Sequence, residues 1–146
     1  MSARNRTIIA GSIAAAFVGG LLIGHGVPAA AQGNSRIFEL RTYTTNEGKL
    51  GGLVNRMGGP EKDLFRKHGM EPMAFFVAAE APKSENTFVY ILAHKSREAA
   101  RASWAAFGAD PEWRKVAQES EANGRFLVQG GVQSVFLNAT DFSPLK

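Results

Sequence analysis

The sequence contains no cysteine. That excludes a disulfide framework, a thiolate metal site and a lipid-modified N-terminal cysteine, so any folded domain must be stable through its core alone. Histidine is nearly as scarce, with three in 146 residues, one of them (His25) inside an apolar leader. His68 and His94 stand too far apart in sequence, and with too few companions, to suggest a metal site. We expect no metal and no cofactor. Runs of like charge are missing too. Basic residues are scattered among acids, which gives a mixed soluble surface and no nucleic-acid footprint.

The formal net charge of +4 owes part of its size to the first residues, because Arg4 and Arg6 precede a long apolar stretch. Thr7 to Ile23 is rich in Ala, Gly and Ile, and Val27-Pro28-Ala29-Ala30-Ala31 supplies the small residues a signal peptidase reads. We expect residues 1–31 to be a signal peptide cleaved after Ala31, giving a periplasmic or secreted protein that meets the membrane only in transit. The alternative is an uncleaved N-terminal anchor, since the apolar stretch is long enough to span a bilayer. Residues 32–35 then form a short arm, 36–137 one compact domain and 138–146 a tail.

Hydrophobic periodicity orders that domain. Arg36 to Thr44 alternates as a strand, Phe38, Leu40 and Thr42 on one face, Ile37, Glu39, Arg41 and Tyr43 on the other. Lys49 to Lys67 has helical spacing broken at Gly58-Gly59-Pro60, which predicts two short helices, the second starting at Pro60 and capped by Gly69. Strands follow at Met70–Ala79 and Thr87–His94. Ser96 is the expected N-cap of a helix over 97–107, and Asp110-Pro111-Glu112 starts another that Asn123-Gly124 stops. Phe126 to Phe136 is the last strand, with a bulge at Gly130-Gly131.

The order β-α-β-β-α-β is the ferredoxin-like arrangement, an α+β class with helices on one face of a four-stranded antiparallel sheet. We expect the aliphatic stripes, Phe38 and Leu40 with Val89 and Ile91, to face those helices. Phe88, Tyr90 and Leu92 would then form an apolar patch that a second subunit's sheet covers, enclosing Glu39, Arg41 and Tyr43 in a barrel between two copies.

Four segments in order, Glu39-Leu40-Arg41-Thr42-Tyr43, Gly48-Lys49-Leu50, Lys67-His68-Gly69-Met70 and Ala109-Asp110-Pro111-Glu112-Trp113, closely resemble the NIPSNAP family. The resemblance spans about Arg36 to Phe136. The third strand departs from it, with Leu92 and His94 where relatives usually carry Trp and Tyr. The resemblance implies a dimeric α/β barrel, a superfold shared with small monooxygenases, haem-degrading enzymes, decarboxylases and isomerases, and it supplies no activity.

Arg41 is the strongest candidate site residue, because a guanidinium on an enclosed face must pair with an acid or bind an anion. Its fork suits a carboxylate or enolate, and Glu39 is the obvious structural partner. His68 is a candidate general acid or base, with helix capping as its plainer role. His94, beside Lys95 and Arg97, reads as a solvated surface histidine. Tyr43, Phe76, Tyr90 and Trp113 are candidate lining residues from an aromatic set that also includes Phe75, Phe88 and Trp104. Three functions follow. The first is an exported homodimer binding a small, mainly apolar anion; the second is a cofactor-independent oxygenase or isomerase in the same pocket. The third is a non-catalytic dimeric interaction module.

Overall fold

The computed structural model describes residues 36–146; the leader, its cleavage site after Ala31 and the arm at 32–35 lie outside the described residues. Four strands, β1 (Ile37–Thr45), β2 (Glu71–Val77), β3 (Thr87–His94) and β4 (Leu127–Asn138), form one antiparallel sheet in the order β2-β3-β1-β4. Four helices join them: α1 (Leu50–Arg56), α2 (Lys62–Lys67), α3 (Arg97–Ala109) and α4 (Pro111–Ser120). This is the expected ferredoxin-like α+β fold. None of the described helices is long and apolar enough to cross a membrane.

Local chemistry sets most boundaries. A π-type turn at Met57–Glu61 separates α1 from α2, with Gly59 outside the helical region and Pro60 leading into the next turn. Proline's missing N–H and glycine's freedom explain the break. Gly69, at φ +75°, ends the α2 segment. Ser96 caps α3 by accepting from the Ala99 amide at 3.1 Å, and Asp110 caps α4 by accepting from Glu112 at 2.8 Å. In β4 the register against β1 jumps between Tyr43 and Thr45, and Gly130 there takes φ +71°. A Cβ on Gly131 would sit 2.6 Å from the Thr44 carbonyl oxygen, so glycine is what lets the bulge press on β1.

The two sheet faces are the reverse of the expectation. Phe88, Tyr90 and Leu92 face the helices and join Tyr43, Leu53, Met57, Leu64, Phe65 and Phe107 in the core. Phe65 of α2 stacks on Tyr90 with centroids 5.8 Å apart. Glu39 and Arg41 share this face, so the chain's own helices enclose them. A second subunit is not needed for that. The aliphatic stripe lies on the open face instead, where register pairs Leu40 with Ile91 and Val135, and Phe38 with Leu137. Alternation defines two faces but not which one the helices cover. Here large aromatic rings pack under the helices, and the Glu39 carboxylate among them is admissible because four neighbouring groups hydrogen-bond to it.

Candidate functional site

The buried polar cluster is centred on Glu39, which is 2% exposed near the start of the inner strand β1. One carboxylate oxygen accepts from Arg41 Nη1 at 2.6 Å and Ser134 Oγ at 2.6 Å. The other accepts from the Trp104 indole at 2.8 Å and contacts His94 Nε2 at 2.9 Å. β1 supplies the acid and guanidinium, β3 the imidazole, β4 the hydroxyl and α3 the indole. Burial by itself raises the Glu39 pKa, but the donors from His94, Ser134, Trp104 and Arg41 outweigh it and bring it to about 2. An ionised carboxylate with four donors is a poor base. Its role is to orient its neighbours, Arg41 above all.

Arg41 is held on three sides. Glu39 takes Nη1, and the guanidinium carbon lies 4.2 Å from the Trp104 ring centroid and 5.6 Å from that of Tyr43. Burial opposes its charge, yet Tyr90, Tyr43 and Glu39 together favour it and raise its pKa further. Its Nε is buried without a hydrogen-bond partner, while its side chain keeps 15% of its surface accessible. Beside it, the Tyr90 hydroxyl donates to the Tyr43 hydroxyl at 2.7 Å, both buried. Burial, first among the causes, raises both phenol pKa values, so both stay protonated. Two phenol protons share one hydrogen bond, and the second has no acceptor among the described residues. Around Arg41, then, donors outnumber acceptors.

The structure brings Glu39, Arg41, Tyr43 and Tyr90 together and sets the other candidates apart. Phe76 pairs with Val89 on the open face and is 52% exposed, so it does not line this cluster. Trp113 packs on Phe107 at 4.5 Å and lies 5.1 Å from the Arg56 guanidinium carbon. His68 contacts Asp110 Oδ2 at 2.6 Å, and Lys67 bridges the same carboxylate at 2.8 Å. Asp110 also caps α4, and its pKa is held well down by Lys67, His68 and the Glu112 amide. This links the end of α2 to the start of α4. His94 corrects the surface reading, for it is 1% exposed. Its place on the Phe88-Tyr90-Leu92 stripe carried that signal, but the charged neighbours Lys95 and Arg97 obscured it. Ser134 and Trp104 had no sequence signal linking them to Glu39. Nor had the buried Arg56, whose Nε donates to Glu61 at 2.8 Å and Nη1 to Glu121 at 3.0 Å. Among the described residues, no group of three His, Cys, Asp or Glu side chains is placed to hold a metal ion.

The family profile that matches the chain is NIPSNAP, over residues 38–144. The chain belongs to the NIPSNAP family. Among solved structures it is similar to a NIPSNAP family protein of unknown function from Agrobacterium tumefaciens, 20% identical, with a TM-score of 0.64 over 78% of this chain and 96% of that one. An uncharacterised NIPSNAP-like domain protein from Burkholderia xenovorans gives 20% identity and 0.64 over 76% and 90%. A monooxygenase from Streptomyces coelicolor, in complex with the ligand nanaomycin D, gives 16% and 0.53 over 77% and 95%. At these identities the likeness is one of fold. No functionally curated protein matches the chain.

Proposed function

We propose that this NIPSNAP protein is an exported homodimer whose protomers each bind a small, mainly apolar anion between sheet and helices, with Arg41 as the anion's partner. The observation that carries this reading is the donor surplus around Arg41: an unpartnered buried Nε and a phenol proton without an acceptor. Buried donors left unpaired are costly, and a carboxylate, phenolate or enolate would satisfy them. Trp104 and Phe75, both only partly buried beside the cluster, offer rings suited to an apolar body. Dimerisation through the open sheet face is supported by its apolar surface, on which Phe76 is 52%, Val135 49% and Leu137 40% exposed.

Because Arg41 and the open face lie on opposite sides of the sheet, one substitution separates the two functions. Arg41→Met keeps Glu39's other three donors. Native mass spectrometry of protein purified from its own host should show a dimer with a bound small molecule, and the variant as an empty dimer. A variant that keeps the molecule removes Arg41 from the binding role; a variant that becomes monomeric makes its role structural.

A second reading is a cofactor-independent oxygenase or isomerase at the same place. It is favoured by the juxtaposition of a fixed cation and two protonated phenols, a set that stabilises enolate-like charge. It requires turnover of a hydroxylated aromatic or keto substrate that Arg41→Met and Tyr43→Phe both depress. Unchanged turnover in both variants would remove it.

A further inference from the structure

At the end of the sheet where β2 follows α2, a cavity of about 520 Å³ opens that the Arg41 cluster does not use. Arg36, Arg66 and Lys95 line it against a single carboxylate, Glu71, while Met73 supplies apolar wall. We infer that this cavity binds a small organic phosphomonoester, with the phosphate among the three cations and the apolar body against Met73. Three cations face the acids Glu71 and, beside Arg66, Asp63, so the wall is net positive, and its three donor groups suit the three terminal oxygens of a phosphomonoester better than the two of a monocarboxylate. Guanidinium forks suit phosphate oxygens. Both arginines can turn to a guest. Arg66 pairs only with Asp63 on its own helix, at 3.1 Å with both side chains exposed, and such pairs are weak. Arg36 commits its Nε to the Lys146 backbone oxygen at 2.9 Å and keeps its two terminal nitrogens.

His94 belongs to the cavity wall and to the buried cluster at once, since its Nε2 contacts Glu39. It therefore serves as an internal reporter of occupancy. The site does not depend on the Arg41 reading, and failure of one leaves the other standing.

The test is calorimetric titration of the protein at low ionic strength with phenyl phosphate, inorganic phosphate and phenylacetate, alongside sedimentation with vesicles containing phosphatidic acid. Phenyl phosphate should bind more tightly than the other two soluble probes and shift the His94 ring resonances. The Arg66→Ala/Lys95→Ala variant should weaken it by about tenfold or more, while Arg101→Ala/Lys115→Ala, which removes two exposed cations elsewhere, should change it by less than about twofold. The inference is overturned if phenyl phosphate fails to bind at millimolar concentration or if phenylacetate binds equally well. Equal weakening by the control variant would also overturn it, as would capture of vesicles without binding of the soluble ester.

Discussion

Glu39→Gln tests the reasoning about the buried cluster most directly. The wild-type carboxylate has a pKa of about 2 in the fold against 4.5 for the free side chain. At about 1.4 kcal/mol per pH unit, that gap is worth about 3 kcal/mol of stability. The folded value is the lower one, so the contribution is complete above pH 4.5 and declines as acid protonates the carboxylate. About 2 kcal/mol is gone by pH 3 and about 3 kcal/mol by pH 2. Glutamine offers one acceptor oxygen and turns an NH2 toward two of the donors. It should therefore cost about 3–5 kcal/mol near neutrality, the range for breaking a buried pair from one side. Urea unfolding of both proteins from pH 7 down to pH 3 measures the difference. The two stability curves should converge by about 2 kcal/mol over that span. Asp110 is acid-sensitive in both proteins and drops out of the comparison. Parallel curves would mean that Glu39 is not held ionised by its four donors, and the account of the cluster would fail.

Phe76→Glu combined with Val135→Glu should convert the proposed dimer into a folded monomer, read as a halved mass by light scattering with unchanged circular dichroism. Phe65→Ala removes the ring that stacks on Tyr90 and meets Trp104 and Phe107. It should cost about 3–5 kcal/mol in urea unfolding, and a loss below about 1 kcal/mol would mean that the α2–sheet contact is not part of the core. Gly131→Ala drives a methyl to 2.6 Å from the Thr44 carbonyl oxygen and should cost about 1–3 kcal/mol; an unchanged melting temperature would show that the bulge is free to move.

Much of the fold was legible because its signals are local. Pro60, Gly69, Ser96 and Asp110 act through backbone geometry within a few residues of themselves, and each stands at the boundary its chemistry predicts. The site was legible in part. Glu39, Arg41 and Tyr43 share a face by alternation alone, and their pairing follows from that. His94 was misread because a charged neighbourhood in sequence says little about a residue whose side chain turns inward. Phe76 was misplaced through the same ambiguity that reversed the sheet, since period two separates faces without naming them.

What the sequence by itself determined, then, is the order of elements, their caps and breaks, the family, and the sharing of one strand face by an acid, a guanidinium and a phenol. These depend on short-range sterics and spacing. The tertiary structure alone decided which face the helices cover and which distant groups meet Glu39. Trp104 and Ser134 lie 65 and 95 residues away along the chain. Their convergence on one carboxylate is set by strand register and by the way α3 packs on the sheet. Burial there is admissible only because four donors arrive together, a condition no local pattern encodes.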